Sequence, residues 1–410
     1  MRASLGLCLL LGAPLIACSE GTTRDSVSTP AAGGAGSPAN TPVEGPMQPP
    51  LGGGGSGGST SAASGSGAGG SAGSSSGAGG SAGSGSGGGG GEPQLWEVKR
   101  AAFLEVIGRP QVPLDPQETP KGQNGALSVE DFSIQSDAST RINGTTYRPG
   151  NAGPYPAVIY LHATGGDRNG DSGFTKDLAS RGFFVVTIDA RYHGQGAGTN
   201  AYFDAIYDNY VSGQQHPFLY DTVWDVMRLI DYLEQRADVD AERVGLVGKS
   251  KGGMETYLAA AVEPRVDVAV PWIGVQNWAW ALDNDKWQPR VESIQGAVDQ
   301  AAQHDGVGAI DAAYVRRFYD RAVPGMYQQF DAIEMLPAIC PRPLLAINGD
   351  SDPRTPIQGL RLVEAATKEA YAAAGAAEKF VLSIQPSTGH SVTQESFSAT
   401  IDWFVGHLKP

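Results

Sequence analysis

Short apolar runs alternate with amphipathic stretches in the C-terminal part of this chain, and that alternation restricts the possible folds more than any other feature. Continuous apolar runs such as Ala157–Leu161 and Phe183–Ile188 are typical of strands that are buried on both faces. Helical stretches such as Asp221–Arg236 lie between such runs. Strands joined by helices form a mostly parallel sheet with helices on both sides. The sequence therefore predicts an α/β fold, and two earlier strands, Ser128–Ser136 and Arg141–Arg148, are expected to make the sheet mixed.

A glycine-rich segment precedes this region and is not expected to fold. Glycine supplies 57 of the 410 residues, and from about Glu20 to Glu92 the chain is almost entirely Gly, Ser, Ala, Pro and Thr. Such a segment cannot bury enough apolar surface to offset the entropy lost when it is ordered. We predict a disordered tether over residues 19–92, followed by one folded domain over residues 93–410.

The first eighteen residues have the pattern of a bacterial lipoprotein signal. Arg2 precedes an apolar stretch, Leu5–Ile16, which is too short to span a bilayer. The segment that ends at Ala17 and Cys18 resembles a lipobox, in which the cysteine becomes lipidated. The resemblance implies a signal peptide over residues 1–18 and a membrane anchor at Cys18, at the outer membrane or cell surface of a bacterium. An ordinary secretory signal is the alternative interpretation.

Charge and cysteine content exclude several classes of function. The chain has 29 Lys and Arg against 43 Asp and Glu, a net charge of −14, and it has no basic block. Clustered cations are what neutralise phosphates, so nucleic-acid binding is not expected. Three cysteines cannot build a disulfide scaffold or a multi-thiolate metal site. No His, Asp and Glu cluster has metal-ligand spacing, so no metal and no cofactor is expected.

The strongest chemical motif is Gly248-Lys249-Ser250-Lys251-Gly252-Gly253, which lies between a predicted strand, Val244–Val247, and a predicted helix, Lys251–Val262. A G-x-S-x-G sequence in this position is typical of a nucleophile elbow, a sharp turn that exposes the serine hydroxyl at a helix N-terminus. Backbone N–H groups at that terminus can stabilise an oxyanion. We therefore predict Ser250 as a catalytic nucleophile.

A serine of this kind needs an imidazole base that a carboxylate holds in place. Among six histidines, His390 lies directly after the last predicted strand, Lys379–Ile384, and before the C-terminal helix. This position agrees with the chain order of nucleophile, acid and histidine in such architectures. We predict His390 as the base, and a surface histidine is the alternative.

Two aspartates compete for the role of the acid. Asp350 and Asp352 both follow the predicted strand Pro343–Asn348, so both lie at the carboxyl end of a strand. Pro353 biases the backbone of the residue before it towards an extended conformation, which helps to present that residue's carboxylate. We favour Asp352 as the acid and expect Asp350 to cap the turn or to point away.

Two backbone N–H groups are expected to form the oxyanion hole. One is that of Lys251, directly after the nucleophile. The other belongs to Ala163 or Thr164, in the loop His162–Gly166 that follows the predicted strand ending at Leu161. This loop resembles the H-G-x-G-G form found in hydrolases, with Ala163 in place of the first glycine.

With elbow, acid, histidine and oxyanion loop in this order, the chain from about Leu127 to Pro410 resembles α/β-hydrolases of the dienelactone hydrolase and prolyl-oligopeptidase-like esterase group. The resemblance implies an α/β-hydrolase fold and a serine hydrolase that forms an acyl-enzyme with a carboxylic ester of a small molecule or a polysaccharide. The alternatives are a binding module on an inactive hydrolase fold and a peptidase of the prolyl-oligopeptidase-like type. The sequence does not indicate an oligomeric state.

An insertion over about residues 277–336 is predicted to form a helical cap above the nucleophile. Trp278 and Trp280 open this insertion and are candidate pocket residues, with packing of the cap against the body as the alternative. Arg191, at the carboxyl end of an earlier strand, is a third candidate. Its alternative role is to hold a loop by hydrogen bonds.

Overall fold

The computed structural model describes residues 94–150, 153–194 and 196–409. The strands within these ranges are β1 Gln117–Asn124, β2 Leu127–Gln135, β3 Arg141–Pro149, β4 Tyr155–Leu161, β5 Phe184–Ile188, β6 Val239–Lys249, β7 Val268–Trp272, β8 Leu344–Gly349 and β9 Phe380–Gln385. The α-helices are α1 Leu95–Ile107, α2 Ser172–Ser180, α3 Ala201–Ser212, α4 Tyr220–Leu233, α5 Lys251–Val262, α6 Trp278–Asp283, α7 Gln288–Val291, α8 Gln295–His304, α9 Ala312–Ala322, α10 Ala332–Met335, α11 Ile357–Ala373 and α12 Gln394–Leu408.

All nine strands form one sheet in the order β1-β2-β3-β5-β4-β6-β7-β8-β9. Neighbours from β5 to β9 are parallel, and β1, β2 and β3 pair in an antiparallel manner up to β5. In the centre, Val158 of β4 lies between Val185 of β5 and Gly245 of β6. The predicted α/β-hydrolase fold, with a mostly parallel sheet and a few antiparallel strands, is confirmed.

Burial explains why the central strands are continuously apolar. All seven residues of β4 are buried. Ala157 and Ile159 pack with α4, α5 and the 277–336 insertion, whereas Val158 and Tyr160 pack with α2 and α12 on the opposite face. A strand covered by helices on both faces has no position that favours a polar residue.

The parallel strands all end at one edge of the sheet, and this edge positions the site. The loops that follow β4, β5, β6, β8 and β9 meet there, as carboxyl ends of parallel strands do in open α/β sheets. The insertion 277–336 lies between β7 and β8 and contains α6 to α10. Loops at this edge carry the serine, the acid and the histidine singled out by the sequence.

Two elements were not predicted from the sequence. Strand β1 has all eight residues exposed and contains Pro120 and Gly122, so it has neither apolar alternation nor strand propensity. Helix α3 was also missed, although Tyr202, Ile206 and Tyr210 are spaced four apart and buried. The predicted signal peptide, Cys18 and the whole of the predicted tether lie outside the described residues. In the part of the chain that is described, no helix is long and apolar enough to cross a bilayer.

Candidate active site

Ser250 occupies a strained turn between β6 and α5. Its φ is 57° and its ψ is −106°, a region that non-glycine residues rarely adopt. Two backbone hydrogen bonds hold the turn: the Ser250 N–H donates to the Trp272 carbonyl at 2.9 Å, and the Ser250 carbonyl accepts the Met254 N–H at 3.0 Å. The backbone on both sides of the serine is therefore fixed, as the predicted elbow requires.

The glycines around Ser250 are explained by close backbone approach. A Cβ on Gly248 would lie 2.3 Å from the carbonyl oxygen of Gly252. A Cβ on Gly252 would lie 2.1 Å from that of Leu161, and one on Gly253 would lie 2.4 Å from that of Trp272. Helix α5 therefore starts in direct contact with the ends of β4 and β7, which only glycine permits.

Three side chains from three separate loops are joined by hydrogen bonds. His390 Nε2 lies 2.7 Å from Ser250 Oγ, and His390 Nδ1 lies 2.7 Å from Asp352 Oδ2. Asp352 also accepts the Arg354 N–H at 2.9 Å and the Thr355 hydroxyl at 3.0 Å. This arrangement can transfer the serine proton to an imidazole whose other nitrogen is held by a carboxylate.

The local charges favour an ionised Asp352 and a neutral His390. Burial alone would raise the pKa of Asp352, but its hydrogen bond to His390 and the Arg354 N–H bring that pKa below its usual value. Burial lowers the pKa of His390, Asp352 opposes that effect, and the charges of Arg290 and Arg354 lower it further. A neutral imidazole is the form that can accept the serine proton.

Asp350, the competing aspartate, holds a loop and does not contact His390. It is exposed, and its carboxylate accepts the N–H groups of Ser387 at 2.9 Å and Thr388 at 3.2 Å. Asp350 therefore ties the loop after β8 to the loop that carries the histidine. The geometry brings Asp352, not Asp350, to the imidazole.

The predicted oxyanion donors lie around the same turn. Gly252 packs against the carbonyls of Leu161 and His162, which brings the loop after β4 to the first turn of α5. Among the described residues, no hydrogen bond uses the N–H of Lys251, Ala163 or Thr164. These donors are available to a ligand.

His162 anchors the oxyanion loop from behind. Its Nδ1 lies 2.7 Å from the carbonyl of Ala163, and its Nε2 accepts the Ala190 N–H at 3.0 Å. Burial lowers the pKa of His162 well below its usual value, so the ring is neutral and ties the loop after β4 to the loop after β5.

Both lysines beside the nucleophile are paired with carboxylates. Lys249 Nζ lies 3.2 Å from Asp171 Oδ1, and Lys251 Nζ lies 2.8 Å from Glu255 Oε1 with both side chains buried. Neither ammonium is left to attract an anion. No group of three His, Cys, Asp or Glu within the described ranges is arranged to hold a metal ion.

Comparison with known proteins identifies the family of this chain. The family model described as glucuronyl esterase, fungi, matches residues 133–375, more than half of the chain. This chain belongs to the glucuronyl esterase family. It is accordingly a serine ester hydrolase.

Individual relatives of this chain are distant. YtaP of Bacillus subtilis, named as a hydrolase, is 27% identical over 256 residues, which cover 59% of this chain and 75% of that protein. The 4-O-methyl-glucuronoyl methylesterase of Podospora anserina is 26% identical over 185 residues, which cover 43% of this chain and 36% of that protein. Acetyl xylan esterase 1 from Thermoanaerobacterium has the same fold, with a TM-score of 0.58 at 18% identity over 77% of this chain and 94% of its own.

The three candidate pocket residues of this esterase lie in different surroundings. Trp278 is 1% exposed and its ring contacts Phe218 of the body and Tyr319 of the cap, so it packs between the two. Trp280 is half-buried in the same helix. Arg191 is buried and bonds to Asp225 at 2.6 Å. A pocket role for these residues stays a prediction, and the packing and loop-holding roles agree with the contacts of Trp278 and Arg191.

Sequence reasoning missed a cap residue that contacts the acid loop. Arg290 of α7 is buried, and its Nη2 donates to the Arg354 carbonyl at 3.2 Å. In the opposite direction, Arg354 Nε donates to the Pro289 carbonyl at 3.1 Å. We call this pair of bonds the clasp. Burial lowers the pKa of Arg290 to about 10, against the attraction of Asp352, so the guanidinium remains charged near neutral pH. No local motif signals this contact.

Proposed function

We propose that this chain hydrolyses a carboxylic ester of a uronic acid through an acyl-enzyme on Ser250. The observation that carries the proposal is the pair of 2.7 Å contacts from His390 to Ser250 Oγ and to Asp352 Oδ2. Serine, imidazole and carboxylate are then aligned for proton transfer in the order that ester hydrolysis requires.

In the first half of the reaction, His390 Nε2 takes the proton of Ser250 Oγ as that oxygen attacks the ester carbonyl. The negative charge moves to the carbonyl oxygen, where the N–H groups of Lys251 and of Ala163 or Thr164 stabilise it. The tetrahedral intermediate collapses, the bond to the alcohol oxygen breaks, and the imidazolium gives its proton to the departing alcohol. Asp352 stabilises the imidazolium without accepting its proton.

In the second half of the reaction, water hydrolyses the acyl-enzyme through the same series of proton transfers. His390 takes a proton from water, the hydroxide oxygen attacks the acyl carbon, and the same N–H donors stabilise the second oxyanion. Collapse breaks the bond to Ser250 Oγ, which regains its proton from His390. The products are a carboxylic acid and an alcohol, with the enzyme unchanged.

Family membership supports a uronic acid as the acyl part. The Podospora anserina relative is named for a 4-O-methyl-glucuronoyl methyl ester, although this chain spans only 36% of that protein. A uronoyl ester carries an oxygen-containing ring with hydroxyl groups on its acyl side, and an acetyl ester carries only a methyl group. Thr164, Tyr192 and His193 line the cavity beside the oxyanion loop and offer polar groups to a hydroxylated acyl group.

The same proposal includes the location of the enzyme. Cys18 would carry a lipid and the glycine-rich segment would hold the catalytic domain away from the membrane, so that it reaches a substrate outside the cytoplasm. The support is the sequence of residues 1–92. Cys18→Ser should leave the protein unlipidated, as metabolic labelling with a fatty acid would report.

The test of the chemistry compares three substrates with the unaltered chain and with Ser250→Ala. The unaltered chain should hydrolyse the methyl ester of 4-O-methyl-glucuronic acid faster than acetylated xylan or a p-nitrophenyl acetate standard. Ser250→Ala should lose at least about a thousandfold in kcat and all labelling by a fluorophosphonate. Asp350→Asn serves as a matched control, because it alters an exposed side chain of the same edge. Retained activity in a clean Ser250→Ala preparation would refute the assignment.

A further inference from the structure

Three buried polar atoms of the cap have no hydrogen-bond partner among the described residues. They are Nε1 of Trp287, Nη1 of Arg290 and the hydroxyl oxygen of Tyr319. Each of these groups can donate a hydrogen bond, and none of the three side chains is more than 8% exposed. Buried polar groups are rarely left unpaired. The inside of the cap therefore holds several donors and lacks an acceptor for them.

Arg290 differs from other buried arginines because its charge has no ion pair. Its Nε donates to Gln276 Oε1 at 3.2 Å, its Nη2 donates to the Arg354 carbonyl at 3.2 Å, and no carboxylate of the described residues pairs with it. By contrast, buried Arg191 bonds to Asp225 at 2.6 Å. A charge that is buried without an opposite charge beside it is strongly destabilising. A negatively charged acceptor at Nη1 would remove this cost.

Arg290 and Tyr319 lie against the same aromatic ring. Cζ of Arg290 is 6.0 Å from the centre of the Trp278 ring, and the centre of the Tyr319 ring is 5.2 Å from it. Burial raises the pKa of Tyr319 and the charge of Arg290 acts in the opposite direction, so the two polar groups are close enough to interact. Trp287 lies one turn before Arg290, whose N–H donates to the Trp287 carbonyl at 3.1 Å. A small acceptor between α7 and α9 could therefore bond to Arg290 and Tyr319 together.

The charges around Arg290 leave a surplus of one positive charge. The titratable and charged groups that face it are Asp352 and Arg354 of the acid loop, Tyr257 of α5 and Tyr319 of α9. Burial raises the pKa of both tyrosines, so they are neutral. His390 is neutral as well, and Asp352 balances only one of the two guanidinium groups. One monovalent anion would complete the balance, whereas a divalent anion would exceed it.

We propose that a monovalent anion of the size of chloride binds inside the cap, accepts hydrogen bonds from Arg290 Nη1 and the Tyr319 hydroxyl, and reduces the effect of the Arg290 charge on His390. Trp287 Nε1 is a third possible donor. The site is separate from the groups that react at Ser250, and it does not depend on which ester the enzyme cleaves. It would make the catalytic base sensitive to the salt that surrounds the protein.

The direct test is diffraction from crystals of the catalytic domain in its full chain, grown in sodium bromide. Bromide can take the place of chloride, and its anomalous scattering identifies it. We expect an anomalous peak within hydrogen-bond distance of Arg290 Nη1 and the Tyr319 hydroxyl oxygen. Peaks confined to the protein surface, or a water molecule at Arg290 Nη1 with no anomalous signal, would overturn the proposal.

Thermal unfolding tests the site in solution at constant ionic strength. Replacing sodium gluconate by sodium chloride at about 200 mM should raise Tm by about 2–3 °C, because an anion that binds only the folded state stabilises that state. Gluconate is too large for a site enclosed by buried side chains. Tyr319→Phe removes one donor and should lose about half of the rise, because it weakens the binding of the anion.

Tyr327→Phe is the matched control for this measurement. Its hydroxyl donates to Asp320 at 2.6 Å elsewhere in the same cap, so this variant should keep the full rise in chloride. An equal rise in Tyr319→Phe and Tyr327→Phe would contradict the assignment of the donor.

The effect on the base gives a readout that a purely structural role would not change. Arg290 lowers the pKa of His390, so an anion beside Arg290 should raise that pKa and shift the acid limb of the pH–rate curve to higher pH. On that limb, labelling of Ser250 by a fluorophosphonate should be about threefold slower in chloride than in gluconate. Folded Arg290→Met has no charge to neutralise and should be labelled at equal rates in both salts. Equal rates in both salts for the unaltered chain would overturn the proposal, and the measurement does not depend on the natural ester.

Discussion

The two sides of the catalytic edge differ in how their polar groups are satisfied. On the histidine side, Asp352 accepts hydrogen bonds from His390, Arg354 and Thr355, and Asp350 fastens the neighbouring loop. On the oxyanion side, the N–H groups of Lys251, Ala163 and Thr164 have no partner among the described residues. The first side holds a base in one orientation, and the second keeps hydrogen-bonding capacity for a substrate. Fixed charge and open capacity are thus separated by the nucleophile.

The largest effect should come from removing the charge on the histidine side. Asp352→Asn should lower kcat by roughly 10³–10⁴, because the imidazole loses the group that holds its tautomer and stabilises its protonated form. Steady-state rates on a soluble ester would measure this. Asp350→Asn, the control, should cost only a few-fold through the loop. The reverse order of the two variants would make Asp350 the acid.

A steric change tests the oxyanion side. Gly252→Ala places a Cβ about 2.1 Å from the Leu161 carbonyl oxygen and must displace the loop that supplies an oxyanion donor. The expected loss in kcat is about 10²-fold, similar to the removal of one donor. Gly406→Ala is the control, because a Cβ there meets nothing within 4 Å. Equal kcat values in the two variants would show that the loop position does not matter.

The clasp predicts a change in pH dependence. Burial and the nearby charges of Arg290 and Arg354 lower the pKa of His390. In a plot of kcat/KM against pH, the midpoint of the acid limb should therefore lie below the usual pKa of histidine. Arg290→Met removes one positive charge, so the His390 pKa rises and the limb moves to higher pH. Loosening of the acid loop should also lower kcat about tenfold.

Two further variants separate charge from shape at this position. Arg290→Lys retains the charge and should keep the limb near its original pH, while it still loses part of kcat. Arg316→Met removes a half-buried cap charge that pairs with Asp283 and should leave the limb in place. A folded Arg290→Met protein with an unmoved limb would show that Arg290 has no electrostatic effect on His390.

The smallest effect concerns stability. The unpaired hydroxyl of buried Tyr202 has a desolvation cost that no hydrogen bond offsets, so Tyr202→Phe should stabilise the fold by about 1 kcal/mol and raise Tm by about 2 °C. Tyr371→Phe is the matched control, because its hydroxyl donates to the Arg342 carbonyl at 2.6 Å. The control should lower Tm. A similar fall in both variants would mean that the Tyr202 hydroxyl is paired in solution.

Local sequence patterns were sufficient for the parts of the site that a single turn determines. Ser250 lies in a strand–turn–helix context with glycines at fixed spacing, and the proline that follows Asp352 favoured it over Asp350. Helix α5 was predicted with its observed ends, Lys251–Val262. In each case the local conformation is determined by residues that are close together in the chain, so a sequence pattern can predict it.

Contacts between distant segments could not be predicted in the same way. Arg290 and Arg354 are far apart in the chain, and neither belongs to a motif. Tyr192 and the start of β3 line one cavity only because β3 pairs with β5 in the sheet. Strand β1 is exposed along its whole length, so no apolar pattern marks it. Such features depend on strand order, which a single sequence does not specify.

The clasp has a consequence for how this enzyme can be re-engineered. Because Arg290 and Arg354 each bond to the other's segment, the cap and the acid loop behave as one interchangeable part. A chimera whose cap comes from a relative without an arginine at this position would leave the Arg354 carbonyl without its guanidinium donor. Exchanging the cap and the acid loop together would keep the triad geometry while replacing the part of the domain that covers the site. Variation in substrate preference is therefore easiest to introduce in the loop after β5, which is free of that linkage.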